Sequence, residues 1–250
     1  MSPWPFLQHE GVMAVAHRGG AEEWPENSMR AFQHAYDLGF RYLETDVHTT
    51  RDGVMIAFHD EALDRVTDHT GLIREMTWAE VSEARIAGTD PIPRFSDLIE
   101  AFPDARFNID CKHDSSIDHL VSALSHMNLF ARSCIGAFSD RRLSRLRQLG
   151  GPKLCTSLGP RAIAQLRVAS YGPPVPVPKA GAAQVPLEDR GIRIVDERFI
   201  ATAHKRGLAV HVWTIDDPDE MARLIELGVD GIMTDRPSVL REVLEQHDLW

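Results

Sequence analysis

Short apolar runs alternate with longer amphipathic segments along most of the chain. Runs of this kind predict strands, and segments whose apolar residues recur at helical spacing predict helices. The predicted strands are residues 12–16, 40–47, 106–111, 133–138, 153–156, 182–185, 208–213 and 231–234. The predicted helices are residues 28–38, 95–102, 118–127, 140–149, 161–169, 196–205, 218–228 and a last one that Pro237 opens. Strands that each precede a helix indicate an α/β protein.

This repeat predicts a closed (β/α)8 TIM barrel, because 250 residues match the usual length of that fold. An open doubly wound sheet is the alternative. We favour the barrel because the polar residues suited to catalysis follow the C-terminal ends of several strands, which is the face on which barrel enzymes build their sites. At the helix starts, Asn27 is predicted to cap the first helix, and Ser96 or a neighbour the second.

One segment departs from the repeat. Asp52-Gly53 predicts a tight turn, so that residues 54–58 return beside the preceding strand and carry His59 back to the strand ends. From Asp60 to Pro93 the period is unclear, apart from a short helix near residues 78–84. We therefore predict a single domain over residues 1–250, with a small insertion at about 48–94 that covers the site.

Composition and charge narrow the possible partners. The net charge of -10 argues against nucleic acid or an anionic membrane, because both favour basic patches. No apolar run of about 18 residues occurs, and the N-terminus lacks the pattern of a signal peptide, so we expect no membrane insertion and a cytoplasmic location. Cys111, Cys134 and Cys155 each lie in an apolar run, which predicts buried free thiols.

Two stretches near the N-terminus carry most of the chemistry. His17 and Arg18 follow the first predicted strand and precede two glycines, so they lie where a strand ends and a tight turn begins. Glu44 and Asp46 alternate with apolar residues, so both carboxylates point to one face of a strand. A pair of carboxylates on one face is rarely structural, which indicates a site.

The motifs resemble those of the glycerophosphodiester phosphodiesterases, in an order and spacing that cover nearly the whole chain. They are His17-Arg18-Gly19, Pro25-Glu26-Asn27-Ser28, Glu44-Thr45-Asp46-Val47, His59-Asp60, Asn108 to Lys112, Val212-Trp213-Thr214 and Gly231 to Asp235. The resemblance implies a TIM barrel and a metal-dependent hydrolase that converts small glycerophosphodiesters to sn-glycerol 3-phosphate and an alcohol. It also implies that His17 is the general base and His59 the general acid.

The remaining polar residues suit a phosphate and a metal ion. Arg18 offers a planar fork to phosphate oxygens, and Lys112 offers a point charge. Glu44, Asp46 and Asp110 would repel one another unless a cation lay between them, and their oxygen ligands favour Mg²⁺ or Ca²⁺. Asp110 stands where the family usually has the longer glutamate. Ion pairs of these carboxylates with Arg18 and Lys112 are the structural alternative.

Several residues near the predicted site have more than one possible role, and other functions fit the sequence as well. Glu26 could hold Arg18 or a metal-bound water, or only favour the first turn of its helix, and Gln184 could reach the pocket. Trp213 could pack against a glycerol skeleton or only fill the barrel core. Asp235 could orient a lysine or arginine or only start the last helix. The other histidines considered, His48, His69, His113 and His211, are expected to be ordinary polar residues. The rivals are a lysophospholipase D-like enzyme with the same site, an aldolase-like barrel with a Schiff base on Lys112, and a non-catalytic binder of phosphorylated metabolites. The headgroup, the ion, direct water attack versus a cyclic phosphate, and the oligomeric state are not set by the sequence.

Overall fold

Parallel strands form a nearly closed barrel with helices around it in the computed structural model, which describes residues 2–250. The strands are β1 Met13–Ala16, β2 Tyr42–Thr49, β3 Met55–Ala57, β4 Arg85–Ile86, β5 Asp90–Pro91, β6 Arg106–Cys111, β7 Ser133–Gly136, β8 Cys155–Thr156, β9 Ala182–Val185, β10 Glu188–Asp189, β11 Ile192–Arg193, β12 Ala209–Val212 and β13 Gly231–Thr234. The α-helices are α1 Met29–Asp37, α2 Trp78–Val81, α3 Phe95–Ala101, α4 Ile117–His126, α5 Asp140–Gly150, α6 Pro160–Ala169, α7 Glu197–Lys205, α8 Pro218–Leu227 and α9 Pro237–Gln246.

The strand order around the barrel confirms the predicted (β/α)8 fold. The hydrogen-bonded order is β8-β7-β6-β2-β1-β13-β12-β9, and these eight strands pair in parallel. The last gap, between β8 and β9, is closed by a single bridge from Ser157 to Ala182 and by a hydrogen bond of 2.8 Å from Leu158 N to Ala182 O. The open doubly wound sheet is therefore wrong. The predicted strand at residues 153–156 is shorter, because Lys153 lies in a 3-10 turn.

Alternation along β2 decides which side chains enter the barrel. Tyr42 packs inside the barrel, whereas Leu43 and Val47 pack in the apolar layer that also holds the helices. Because successive strand residues point to opposite faces, Glu44 and Asp46 share the inner face with Tyr42. The same alternation on β6 places Asp110 inside and Cys111 in the outer layer. The strand pattern thus directs the predicted carboxylates into the barrel.

The N-terminal end of the barrel is filled by apolar side chains. A 3-10 turn at Pro5–Leu7 places Phe6, which is fully buried, against the barrel interior, and Tyr42 Oη donates to Phe6 O at 3.2 Å. Cys134 and Cys155 pack in this same cluster. All three cysteines are buried and free, as predicted. Space for a ligand therefore lies at the opposite, C-terminal end.

The insertion has a small apolar cluster of its own. β3 pairs antiparallel with β2, which confirms the predicted hairpin return, and α2 lies within the predicted short helix. The cluster consists of Ile56, Phe58, Leu63, Ile73, Val81, Ala84, Ile86 and Ile92. The division into one domain with an insertion stays a prediction, and Met1 lies outside the described residues.

Two predicted helix caps are wrong. Ser28 caps α1, accepting from Ala31 N at 3.1 Å, because Asn27 has a left-handed backbone and its side chain is used elsewhere. The N-cap of α3 is Arg94, without a side-chain hydrogen bond, and Ser96 lies inside that helix. The hairpin of β10 and β11 was not predicted. No helix within residues 2–250 is long and apolar enough to cross a membrane.

Candidate active site

A cavity of about 360 Å³ opens at the C-terminal ends of the barrel strands. It brings together all the residues predicted for catalysis, phosphate binding and metal binding, which are His17, Arg18, Glu44, Asp46, His59, Asp110 and Lys112. Gln184 and Trp213 also line it. Glu26 does not line it and lies behind Arg18, whose Nη1 donates to Glu26 Oε1 at 3.1 Å. The residues scattered over the sequence therefore meet on one face.

Neighbouring strands bring the acidic residues and Lys112 together. Asp46 on β2 is the direct parallel partner of Asp110 on β6. Lys112, two residues beyond Asp110, returns to the inner face, and its Nζ lies 2.8 Å from Asp46 Oδ1 and 2.6 Å from Asp110 Oδ2. Strand register thus builds an ion-pair cluster.

The charges of this cluster are set by burial and by one another. Burial raises the pKa of Glu44 to about 7, with a further upward contribution from the charge of Asp46. Burial also raises the pKa of Asp110 above its ordinary value. For Asp46, burial acts in the same direction, but the cations of Lys112 and Arg18 outweigh it and hold the pKa below its ordinary value. Asp46 is therefore the firmly anionic member.

The same ion pairs bear on Lys112. Burial is the largest single influence and lowers the pKa of Lys112, but the carboxylates of Asp46 and Asp110 outweigh it and raise the pKa above its ordinary value. A Schiff-base lysine needs a neutral amine at the working pH. An ammonium stabilised in this way is unsuited to that role.

His17 lies at the end of β1 and is oriented from the end of the neighbouring strand, β13. Its Nδ1 lies 2.8 Å from Asp235 Oδ1, and its Nε2 lies 3.8 Å from Glu44 Oε2. Burial lowers the pKa of His17, but the carboxylates of Glu44 and Asp235 outweigh it, so the pKa lies above its ordinary value. The prediction that Asp235 orients a lysine or arginine is wrong, because β13 pairs with β1 and brings Asp235 beside His17.

Arg18 is held in a left-handed turn, with φ of 51°. Its backbone N donates to Glu44 Oε2 at 3.0 Å, and its Nε lies 3.3 Å from Asp46 Oδ2. Gly19 makes this turn possible, because a Cβ there would lie 2.8 Å from the backbone N of Phe32. The His-Arg-Gly sequence thus aims a histidine and an arginine into the cavity from consecutive positions.

His59 enters the cavity from the insertion. Its Nδ1 lies 2.5 Å from Asp60 Oδ1, which leaves Nε2 for the cavity. Asp60 also accepts from Arg65 Nε at 2.6 Å. The sequence motif included Asp60 without a role, and no sequence signal singled out Arg65. His48, outside the cavity, supports the same segment, with its Nε2 3.1 Å from the backbone O of His59.

Oxygen atoms line a second side of the cavity around Gly136. A Cβ on Gly136 would lie 3.6 Å from Gln184 Oε1, 3.7 Å from Ser157 Oγ and 3.8 Å from Asp110 Oδ1. Gln184 is oriented by its amide, which donates to Asn108 Oδ1 at 2.7 Å. These atoms can accept hydrogen bonds from hydroxyl groups of a ligand. Ser157 was not predicted.

An apolar wall borders the cavity beside these oxygens. Phe138 is 66% exposed, and its ring meets that of Trp213 edge-on at 5.6 Å. The wall continues with Leu158, Pro160, Ile163, Val185 and Pro186. Phe138 was not predicted, because the sequence alone does not distinguish an exposed aromatic residue at a strand end from a buried core residue.

The remaining histidines lie outside the cavity lining, as expected. His211 is fully buried below Gln184, and burial lowers the pKa of His211 to about 4, so it is neutral at physiological pH. His69 pairs with Asp68, and His113 accepts from Ser115 N at 3.2 Å.

The acidic residues fit a hard cation in chemistry. Asp110 Oδ1 is buried and accepts a hydrogen bond from no described residue. Burial raises the pKa of Glu44 and of Asp110, so a further positive charge beside them would stabilise both carboxylates. Across residues 2–250 no three His, Cys, Asp or Glu side chains converge as a metal cluster, and Lys112 Nζ lies between Asp46 and Asp110 instead. The donors are all oxygen, which suits Mg²⁺ or Ca²⁺.

Comparison with known proteins gives one consistent family. The model of the glycerophosphoryl diester phosphodiesterase family matches residues 17–239. A probable glycerophosphodiester phosphodiesterase 2 of Mycobacterium tuberculosis is 38% identical over 251 residues, which cover 98% of this chain and 95% of that protein. The matched range therefore spans the whole cavity described above.

Solved structures give the same fold. A putative glycerophosphoryl diester phosphodiesterase from Silicibacter pomeroyi superposes with a TM-score of 0.82 at 22% identity, covering 98% of this chain and 97% of that one. A phosphodiesterase from Oleispira antarctica, solved in complex with its product sn-glycerol-3-phosphate, superposes with a TM-score of 0.76 at 21% identity, covering 93% and 96%.

Proposed function

We propose that this chain, which belongs to the glycerophosphoryl diester phosphodiesterase family, hydrolyses glycerophosphodiesters to sn-glycerol 3-phosphate and an alcohol with the help of a divalent cation. Family membership makes it a phosphoric diester hydrolase. The observation that carries the proposal is the meeting of His17 and His59 with a cluster of carboxylates and cations in one cavity. The product bound to the Oleispira relative supports glycerol 3-phosphate as the product here.

The phosphate of the substrate would meet Arg18 and Lys112. Both cations already pair with carboxylates. The acidic groups around these two cations, Glu26, Asp46 and Asp110, outnumber them. An anionic phosphate therefore needs more positive charge. We assign Glu44, Asp46 and Asp110 as ligands of Mg²⁺ or Ca²⁺. Such an ion, when bound, polarises a phosphoryl oxygen and offsets charge in the transition state.

The two histidines would move the protons. His17 takes a proton from the incoming hydroxyl, whose oxygen bonds to phosphorus. His59 donates a proton to the alkoxide that departs when its P–O bond breaks. Asp235 and Asp60 fix Nδ1 of each ring, so that Nε2 of each is free for the reaction. The incoming hydroxyl is that of water or, in a cyclic route, the glycerol 2-hydroxyl.

Gln184 and Trp213 would hold the glycerol. Gln184 Oε1 and Ser157 Oγ, beside Gly136, would accept hydrogen bonds from the glycerol hydroxyls, and the indole of Trp213 would pack on the carbon skeleton. Glu26 would hold Arg18 in place. The predicted cytoplasmic location stays a prediction.

Release of glycerol 3-phosphate tests the proposal directly. Glycerophosphocholine and glycerophosphoethanolamine are offered to metal-stripped protein, to the same protein with Mg²⁺ or Ca²⁺ restored, and to His17→Ala. We expect turnover that depends on the ion and is lost in the variant. Turnover that persists in metal-stripped protein would contradict the cation, and no turnover with either substrate and any ion would contradict the substrate class.

The apolar wall favours a second candidate, a lysophospholipase D-like activity of the same site. Phe138 is too exposed to serve the core, and an acyl chain would cover it. The test compares kcat/KM for lysophosphatidylcholine and glycerophosphocholine in the wild type and in Phe138→Ser. A loss of about tenfold confined to the lysolipid would support this activity, since one aromatic contact is worth roughly 1–2 kcal/mol. Absence of lysolipid turnover would contradict it.

A further inference from the structure

Arg65 binds two carboxylates of the site at once, from outside the cavity. Its Nε and Nη2 lie 2.6 and 3.1 Å from the two oxygens of Asp60. Its Nη1 and Nη2 lie 2.9 and 2.7 Å from the two oxygens of Glu26. One guanidinium thus makes bidentate contacts with residues 34 positions apart in the sequence, from Glu26 to Asp60.

These contacts connect the turn after β1 with the insertion. On one side, Glu26 accepts from Arg18 Nη1 at 3.1 Å. On the other, Asp60 holds His59 Nδ1. The connected side chains run from Arg18 to His59 by way of Glu26, Arg65 and Asp60. They join the turn after β1 to the insertion, which follows a different strand, β2, in the chain.

The chemistry of the site explains why an arginine stands here. A planar fork can serve two carboxylates in fixed directions, whereas a lysine ammonium is a single point charge. The hydrogen bonds from Arg65 are the main cause that lowers the pKa of Asp60 to about 2, with His59 adding to it. Arg65 and Arg18 together lower the pKa of Glu26, although burial opposes them. Both carboxylates therefore stay ionised as acceptors.

We propose that Arg65 is a positioning residue, which acts through Asp60 and Glu26 to keep His59 and Arg18 at a fixed separation across the bound phosphodiester. This inference rests on the roles of His59 and Arg18 in the proposed function. Arg65 touches no reacting atom. It makes the folded insertion, rather than the barrel alone, set the distance between the acid and the phosphate-binding arginine.

The test compares Arg65→Gln and Arg65→Lys with the wild type on two esters of glycerol 3-phosphate. One ester is glycerophosphocholine, whose departing alkoxide needs a proton. The other carries p-nitrophenol, whose phenolate departs without one. Arg74→Gln is the matched control, because Arg74 lies in the same insertion, is similarly exposed and, among residues 2–250, pairs with Glu61 and Glu75 rather than with Asp60 or Glu26.

We expect Arg65→Gln to lower kcat for the choline ester by about 10- to 100-fold, since it removes charge-assisted hydrogen bonds that orient His59. The kcat for the p-nitrophenyl ester should fall less than about threefold, while KM rises for both esters because Arg18 loses its support. Arg65→Lys should recover only part of the loss. Arg74→Gln should match the wild type.

Two outcomes would overturn the inference while the proposed function stands. Wild-type kinetics in Arg65→Gln would show that the contacts are idle. An equal loss of kcat on both esters, together with a lower fraction of folded protein, would show a role in folding only. No turnover by the wild type would overturn the proposed function and the role of Arg65 with it.

Discussion

The two histidines proposed as acid and base are held by different parts of the molecule. His17 follows a barrel strand, and its partner Asp235 follows the neighbouring strand β13. His59 belongs to the insertion, and its partner is the next residue in the chain. The side chain of His17 is 16% exposed and that of His59 is 31% exposed. His17 is thus fixed by the pairing of two barrel strands. His59 is fixed by its neighbour Asp60, which Arg65 and Glu26 connect to the barrel.

This difference suits the two chemical roles. Asp235 is itself fixed, because its backbone N donates to Asp216 Oδ1 at 2.7 Å. The proposed base, on the barrel, would therefore keep a constant direction toward the incoming hydroxyl. The proposed acid, on the insertion, would stand where alcohols of different size depart. The barrel side should thus govern the attack on phosphorus, and the insertion side the departure of the alcohol.

The largest effect is expected from the barrel side. His17→Ala should lower kcat by about 10³- to 10⁴-fold, because the incoming hydroxyl loses its base and a positioned acid or base contributes up to about 10⁴-fold. Steady-state kinetics with glycerophosphocholine measure this loss, and circular dichroism checks the fold. A loss below about tenfold would show that another group takes the proton.

Asp235→Asn should have an intermediate effect, a loss of about 10- to 100-fold in kcat, because Nδ1 of His17 loses its charged partner. The pH profile provides the sharper readout. The base has to be neutral, so the rate rises as pH rises through the pKa of His17, which Glu44 and Asp235 raise. Loss of the Asp235 charge lowers that pKa, and the rising limb should shift to lower pH. An unshifted limb would contradict the assignment of His17 as base.

The smallest effect is expected in stability, on the insertion side. The folded pKa of Asp60, about 2, lies below its ordinary value of 3.8. A depressed pKa contributes stability that is present above the ordinary value and is lost as pH falls through the folded one. Asp60→Asn should therefore lower the urea midpoint at pH 7, and the difference from wild type should shrink toward pH 2. A difference that does not change with pH would contradict this.

The sequence correctly predicted those parts of the site that depend on strand periodicity. Alternation on β2 placed Glu44 and Asp46 on one face, and the barrel confirmed this; the register of β6 against β2 adds Asp110 and Lys112 to it. The glycines after His17 and Arg18 correctly indicated a turn at a strand end. These features depend on local backbone geometry, which a short stretch of sequence determines.

The rest depends on contacts between distant parts of the chain. Asp235 lies 218 residues from His17, and only barrel closure brings them together. Asn27 was predicted to cap α1, but its side chain donates to Asp46 and accepts from Thr45 instead. Ser28 therefore caps the helix. Arg65 lies in the segment with no clear period. Such side chains are assigned by tertiary packing, which residue type and spacing do not reveal.

The division of labour between the two histidines is tested most directly by changing the leaving group. His17→Ala and His59→Ala are compared on glycerophosphocholine and on the p-nitrophenyl ester of glycerol 3-phosphate, with the ion present. We expect His17→Ala to lose both activities, whereas His59→Ala should lose turnover of the choline ester and keep most of its turnover of the p-nitrophenyl ester. Equal losses of both esters in His59→Ala, or the reverse pattern between the two variants, would contradict this division of labour.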